Sequence, residues 1–132
     1  MDKIFLRTEM LLGKEAVEKL KNSRVAVFGI GGVGGYALEA LVRAGVGEID
    51  IICAYDGQIV FVEVKARRTN EYGAPSEAVN YFKQRKISQV ASQFLSKYRK
   101  LNYPVRFDVV EVYMEDMSVN HIENAFDSFL RY

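Results

Sequence analysis

Apolar and polar positions repeat along this chain with two periods, and each change of period marks a new element. Over residues 13–22, Ala16, Val17 and Leu20 fall on one helical stripe among charges, which predicts a short amphipathic helix. Val25-Ala26-Val27-Phe28 is instead a continuous apolar run, suited to a strand buried on both faces. It leads into Gly29-Ile30-Gly31-Gly32-Val33-Gly34-Gly35, after which residues 36–44 read as a helix closed by Gly45 and Gly47. Two β-branched runs follow, residues 48–54 and 59–65, and the Asp56-Gly57 pair between them predicts a tight hairpin. Residues 76–100 return to helical spacing through Ile87, Val90, Ala91, Phe94, Leu95 and Tyr98. Pro104 introduces a strand over Val105–Tyr113, and the acidic tail is expected to hold a short helix around residues 119–129. The predicted order is α-β-α-β-β-α-β-α, an α/β fold with a mixed sheet in a single three-layer domain.

The hairpin carries the first chemistry. With Asp56 and Gly57 as the central residues of a two-residue turn, Asp50 faces Glu63 and Glu48 faces Lys65, and side-chain alternation puts all four on one face. Ile49, Ile51, Val62 and Val64 take the other. Two carboxylates directly opposite one another repel, at a cost of a few tenths to about 1 kcal/mol, unless a positive charge lies between them. Two carboxylates with backbone carbonyls and waters suit Mg²⁺ or Mn²⁺, hard cations that pair with phosphate oxygens. Lys65, two residues beyond Glu63, would then orient a water or stabilise charge developing on a phosphate. The alternative is a solvated face on which Lys65 neutralises Glu48 and Asp50 meets water.

Composition narrows the classes. The chain has 132 residues, enough for one domain, and no run approaches the roughly 18 apolar residues of a membrane span. Met1-Asp2-Lys3-Ile4-Phe5-Leu6-Arg7 lacks the pattern of a signal peptide, so a cytoplasmic location and no membrane partner are expected. One cysteine, Cys53, and one histidine, His121, exclude an internal disulfide and a zinc ligand set; Cys53 reads as a small core residue and His121 as a surface or packing residue without a partner. Residues 64–100 carry nine basic and two acidic side chains, residues 108–132 one and six. The basic helix therefore offers Lys83, Arg85, Lys86, Lys97 and Arg99 to a phosphate backbone, with Tyr81 or Tyr98 to stack on bases; a merely solvated helix face is the alternative. Monomer and homodimer both remain open.

From Gly47 to Phe126 the chain resembles the YraN family of small bacterial proteins. The matching motifs are GEIDII (47–52), VFVEVKAR (60–67), YGAPSEAV (72–79), KQRK (83–86), VRFDVVEV (105–112) and NHIENAF (120–126). The resemblance implies a restriction-endonuclease-like core similar to Holliday-junction resolvases and a PD-(D/E)xK nuclease site acting on DNA. Asp50 and Glu63 would be its metal ligands, Lys65 its catalytic lysine, and Gln84, at the start of the basic helix, an assisting residue. That family has an opening helix that supplies a further glutamate, followed by a strand, and this chain has neither. Glu39 is the candidate replacement.

The glycine loop points elsewhere. It follows a predicted strand and opens a helix, the setting in which a GxGxxG pattern brings backbone N–H groups toward a phosphate. Residues 7–46 resemble the start of ThiF-type adenylating enzymes, tRNA threonylcarbamoyladenosine dehydratase in particular. The resemblance implies that Gly29, Gly31, Gly32 and Gly34 form an ATP loop, although Cys53 stands where that family has its ribose-binding aspartate. The two resemblances meet around residues 46–50, so the chain reads as a chimera. Residues 1–46 would be a partial Rossmann-type βα unit, too short to stand alone, and residues 47–132 the nuclease-like region. The 25–28 strand and 36–44 helix are expected to stand in for what the YraN-like region has lost.

Overall fold

The computed structural model describes residues 5–29, 33–67 and 79–129. Among them are four helices and five strands in the order α1 (Leu6–Leu12), α2 (Lys14–Lys21), β1 (Arg24–Phe28), α3 (Val33–Ala44), β2 (Glu48–Tyr55), β3 (Gln58–Arg67), α4 (Tyr81–Lys97), β4 (Val105–Tyr113) and β5 (Ser118–Ile122). The strands form one mixed sheet in the order β1-β2-β3-β4-β5. β1 and β2 are parallel, β2 and β3 antiparallel, β3 and β4 parallel, β4 and β5 antiparallel.

Connectivity explains the layers. Both parallel pairs are joined by a helix, and the chain crosses the sheet in the same direction each time, but β2 and β3 run oppositely. Two crossovers of the same hand must then lie on opposite faces. Leu38, Leu41 and Val42 of α3 accordingly pack with Ile49, Ile51 and Val64, joined there by Val17 of α2 and Phe5. On the other face, Ala91 and Leu95 of α4 pack on Phe61 and Phe107, with Ile52, Ile87 and Phe94 around them. Beyond α3 the first face continues as an apolar trough of about 600 Å³ lined by Val60, Val62, Val110 and Val119 among others.

Three expectations change. The 25–28 run is not buried on both faces: β1 is an edge strand, with Val25 and Val27 packed beneath α3 while Arg24, Ala26 and Phe28 are exposed. Among the described residues, no further strand pairs beyond β1 to enclose it as a full Rossmann fold would. The short helix around residues 119–129 is instead β5 followed by a turn. Val119, Ile122 and Phe126 have helix-like spacing, but His121 and Val119 project on one face of β5 while Ile122 and Phe126 reach the core near Val109 and Phe107. A further helix, α1, precedes the predicted amphipathic one, its Met10, Leu11 and Leu12 exposed.

Two buried carboxylates explain why the tail pairs as a strand. Asp108 accepts two hydrogen bonds from Arg106, at 2.9 Å each, and one from the Asn124 N–H at 3.0 Å, and it lies 2.9 Å from His121 Nε2. His121 thus has the partner that its sequence surroundings did not disclose. Glu111, on the opposite face of β4, accepts from Arg67, Tyr113 and Asn120. Burial alone would raise both carboxyls, yet these donors outweigh it and hold both below their ordinary values. Among the described residues no helix is long and apolar enough to cross a membrane.

Asp108→Asn should therefore cost on the order of 2 kcal/mol in urea unfolding, because a buried amide cannot accept from Arg106, His121 and the Asn124 N–H as the carboxylate does. In the wild type, the unfolded chain takes up protons on these two carboxyls before the folded one does. Stability should be full above the ordinary values of 3.8 and 4.5 and fall as pH drops through them toward the depressed folded values. A series of melting temperatures from pH 6 down to 3 checks the sign, and Asp108→Asn should flatten the slope.

Candidate active site

The site begins with the turn. Asp56 and Gly57 have φ of 49° and 73°, the left-handed pair that a two-residue hairpin needs, and a residue with a β-branched side chain at either place would be strained. The turn fixes the register at Asp50 opposite Glu63 and Glu48 opposite Lys65, as the alternation predicts. All four project on the α4 side of the sheet.

Neighbouring elements then deliver two cations. In the parallel pairing of β1 with β2, Arg24 lies beside Glu48 and Ala26 beside Asp50. The Arg24 Nε donates to Asp50 Oδ2 at 2.6 Å and stands 3.7 Å from Glu48 Oε2. From above, Asn80 caps α4 by accepting from the Lys83 N–H at 3.0 Å, and the Gln84 amide donates to the Val79 carbonyl at 2.8 Å. That first turn aims Lys83 down at the carboxylates, where its Nζ is 2.9 Å from Glu48 Oε1 and in ion-pair contact with Glu63 Oε1.

Glu63 is the buried centre of the cluster, 3% exposed. Lys83 is in ion-pair contact with its Oε1, and neither carboxylate oxygen has a hydrogen-bond partner of good geometry among the described residues. Burial and the facing Asp50 push the Glu63 carboxyl up to about 7, against the opposing pull of Lys83. Burial and the charge of Lys83 lower Lys65, whereas Lys83 itself is raised because Glu63 and Glu48 outweigh its burial. The hydrogen bond from Lys83 lowers Glu48. A groove of about 260 Å³ opens beside the cluster, lined by Arg24, Glu48, Asn80, Phe82, Lys83 and Lys86.

The donor set fits a hard divalent cation in a limited way. Asp50 and Glu63 present two facing carboxylates, and Glu63 has buried oxygens without aligned donors. Among the described residues, however, no group of three or more His, Cys, Asp or Glu side chains is disposed to hold a metal. The remaining positions would fall to backbone carbonyls and water.

The structure brings Asp50, Glu63 and Lys65 onto one face and places Gln84 in the first turn of α4, its amide engaged with the Val79 carbonyl in shaping the helix start. Arg85 and Lys86 are exposed on α4, and Lys86 lines the groove. Lys83 is different from the exposed phosphate contact expected of it, for its side chain is only 18% exposed and turned into the carboxylates. Lys97, Tyr98 and Arg99 lie at the far end of α4. Glu39 does not join the cluster: it pairs with Arg43 at 2.8 Å on α3, which packs on the opposite face of the sheet. The residue that sequence reasoning missed is Arg24. Extending the expected β1–β2 pairing by parallel register would have placed it beside Glu48.

The glycine loop is described in part. Gly29 has φ of 82°, and a Cβ on Gly34 would stand 2.1 Å from the Gly29 carbonyl oxygen, so the helix starts too close to the strand end for any side chain there. Gly31 and Gly32 lie outside the described residues, as does most of the 72–79 motif. Cys53 projects on the α3 side of the sheet, where burial raises its thiol.

Comparison with known proteins finds two family matches. The model of an uncharacterised protein family, UPF0102, matches residues 33–112, and that of the ThiF family matches residues 5–57. The two overlap over residues 33–57, and the UPF0102 match begins ahead of residue 47, so it includes α3. A UPF0102 protein of Clostridioides difficile is 45% identical over 103 residues, covering 78% of this chain and 90% of that protein. One from Clostridium beijerinckii is 48% identical over 84 residues, covering 61% and 68%, and one from Caldanaerobacter subterraneus 45% over 94, covering 67% and 77%. No solved structure matches.

Removing Lys83 should expose the burial strain on Glu63. In Lys83→Met the Glu63 carboxyl loses its counter-charge, so its folded value rises further above about 7 while the unfolded value stays near 4.5. A carboxyl raised by folding costs stability as pH climbs between those two values. Lys83→Met should melt at a lower temperature at pH 8 than at pH 5.5, and adding Glu63→Gln should remove most of that difference.

Proposed function

We propose that this chain, which belongs to the uncharacterised protein family UPF0102, the YraN family, is a metal-dependent nuclease of the PD-(D/E)xK type that hydrolyses DNA phosphodiesters, with branched or structured DNA as substrate. The observation that carries the reading is the facing pair Asp50 and Glu63, with Lys65 two residues on, beneath the basic end of α4. Asp50 and Glu63 would hold Mg²⁺ or Mn²⁺, and the cation when bound supplies Lewis-acid polarisation of a phosphoryl oxygen. Lys65, partly buried and lowered from its ordinary value, orients the attacking water or stabilises charge gathering on the phosphate. Gln84 holds the α4 start in place above them. Arg85 and Lys86 follow the DNA backbone as it enters the groove. A cytoplasmic setting agrees with such a substrate.

A second reading rests on the glycine turn. The close approach of Gly34 to Gly29, together with the ThiF match over the same residues, favours a loop that takes a phosphate of ATP. Cys53 offers no ribose ligand, so this reading extends to binding and not to adenylation. Addition of ATP should raise the melting temperature if it holds and leave it unchanged if the glycines serve only the turn.

The nuclease reading is tested by cleavage of branched and single-stranded DNA with Mg²⁺ or Mn²⁺, after circular dichroism has established folding. Asp50→Asn and Lys65→Ala should each lower the rate by on the order of 10² or more. A folded wild-type protein that cuts neither substrate overturns the reading, and retained DNA binding would then leave a nucleic-acid-binding protein.

A further inference from the structure

We infer that Arg24, delivered by the edge strand β1, competes with the divalent cation for Asp50 and so sets how tightly that cation is held. The inference rests on the metal-site reading above and adds to it a residue from outside the hairpin.

The geometry is specific. Arg24 Nε meets Asp50 Oδ2 at 2.6 Å, a charge-assisted hydrogen bond, and the guanidinium also stands near Glu48. That contact engages one of the two oxygens with which Asp50 would hold a cation. Lys83 plays the matching part toward Glu63, so the three carboxylates Glu48, Asp50 and Glu63 already face two positive charges. Adding a divalent ion without displacing either would place it beside Arg24, Lys83 and Lys65 at once, a repulsion that a half-buried cluster does not screen.

One of the two cations is free to leave. The Lys83 side chain is 18% exposed and anchored on a Glu63 side chain that is 1% exposed. Arg24 is 35% exposed and sits on an edge strand, between a small cavity of about 90 Å³ that contains Asp50 and Glu63 and the wider groove that contains Lys83 and Lys86. Arg24 lines both, so a change of its side-chain rotamer toward the second would release Asp50. Arg24 therefore yields Asp50 to the ion, while Lys83 stays.

Isothermal titration with Mn²⁺, on folded protein and without DNA, tests this directly. Arg24→Gln should bind Mn²⁺ about tenfold more tightly than wild type, Arg24→Lys within about threefold of wild type, and Asp50→Asn not measurably. The Mn²⁺-induced rise in melting temperature should follow the same order, which keeps the comparison usable if Arg24→Gln is itself less stable. If Mn²⁺ binds wild type, is lost in Asp50→Asn, and binds Arg24→Gln no more tightly, the inference about Arg24 is overturned and the metal site stands. If Mn²⁺ binds none of the four proteins, the metal-site reading falls and takes this inference with it.

Discussion

Everything in this molecule depends on the pairing of β2 with β3 through the Asp56-Gly57 turn. Two left-handed residues at that turn determine which side chains face each other along both central strands. One face receives Glu48, Asp50, Glu63 and Lys65, the other Ile49, Ile51, Val62 and Val64. The same alternation thus builds the polar cluster and half of the core. Apolar burial on the α3 side holds the register, and the register in turn holds two carboxylates against each other on the α4 side, an arrangement that local electrostatics would not choose.

The unfavourable pairing is stabilised from both ends of the chain. β1, within the segment matched by the ThiF family, adds in parallel to β2 and brings Arg24 to Asp50; α4, within the segment matched by UPF0102, brings Lys83 to Glu63. The two stretches therefore share one sheet and one charged cluster. Beyond the cluster, β4 keeps its own pair of buried carboxylates on opposite faces. Asp108 and Glu111 fasten β5 and the turn after it from both sides, and they give Asn120 and His121 a part in the sheet far from the hairpin.

The elements that sequence disclosed best are those governed by short-range rules. The hairpin, its register and the 105–113 strand follow from turn chemistry and period-two alternation, and Asp50, Glu63 and Lys65 could be placed on one face before any tertiary contact was known. The amphipathic helix at residues 13–22 follows from period 3.6, and α2 fills most of it. What escaped depends on neighbours distant in sequence. An apolar run such as residues 25–28 says that it seeks burial but not how many strands flank it, so its edge position was hidden. The tail misled because Val119, Ile122 and Phe126 satisfy helical spacing as well as a strand followed by a turn. Lys83 is one of several cations on a basic helix, and only the packing of α4 decides that it alone turns inward. Arg24 was visible as a letter but acquired a role only through the parallel register.

The hairpin's strict parity also bears on how such a chain can change. Because polar and apolar residues alternate within the same two strands, inserting or deleting a single residue inside either would turn the carboxylates into the core and the valines into the groove. Segment exchange is tolerated only where parity is reset, and the 45–47 connection between α3 and β2 is such a place: whatever precedes it, the count along β2 begins anew at Glu48. A new N-terminal segment joined there inherits the arrangement of Asp50 and Glu63 intact, and what it alters is the company those residues keep.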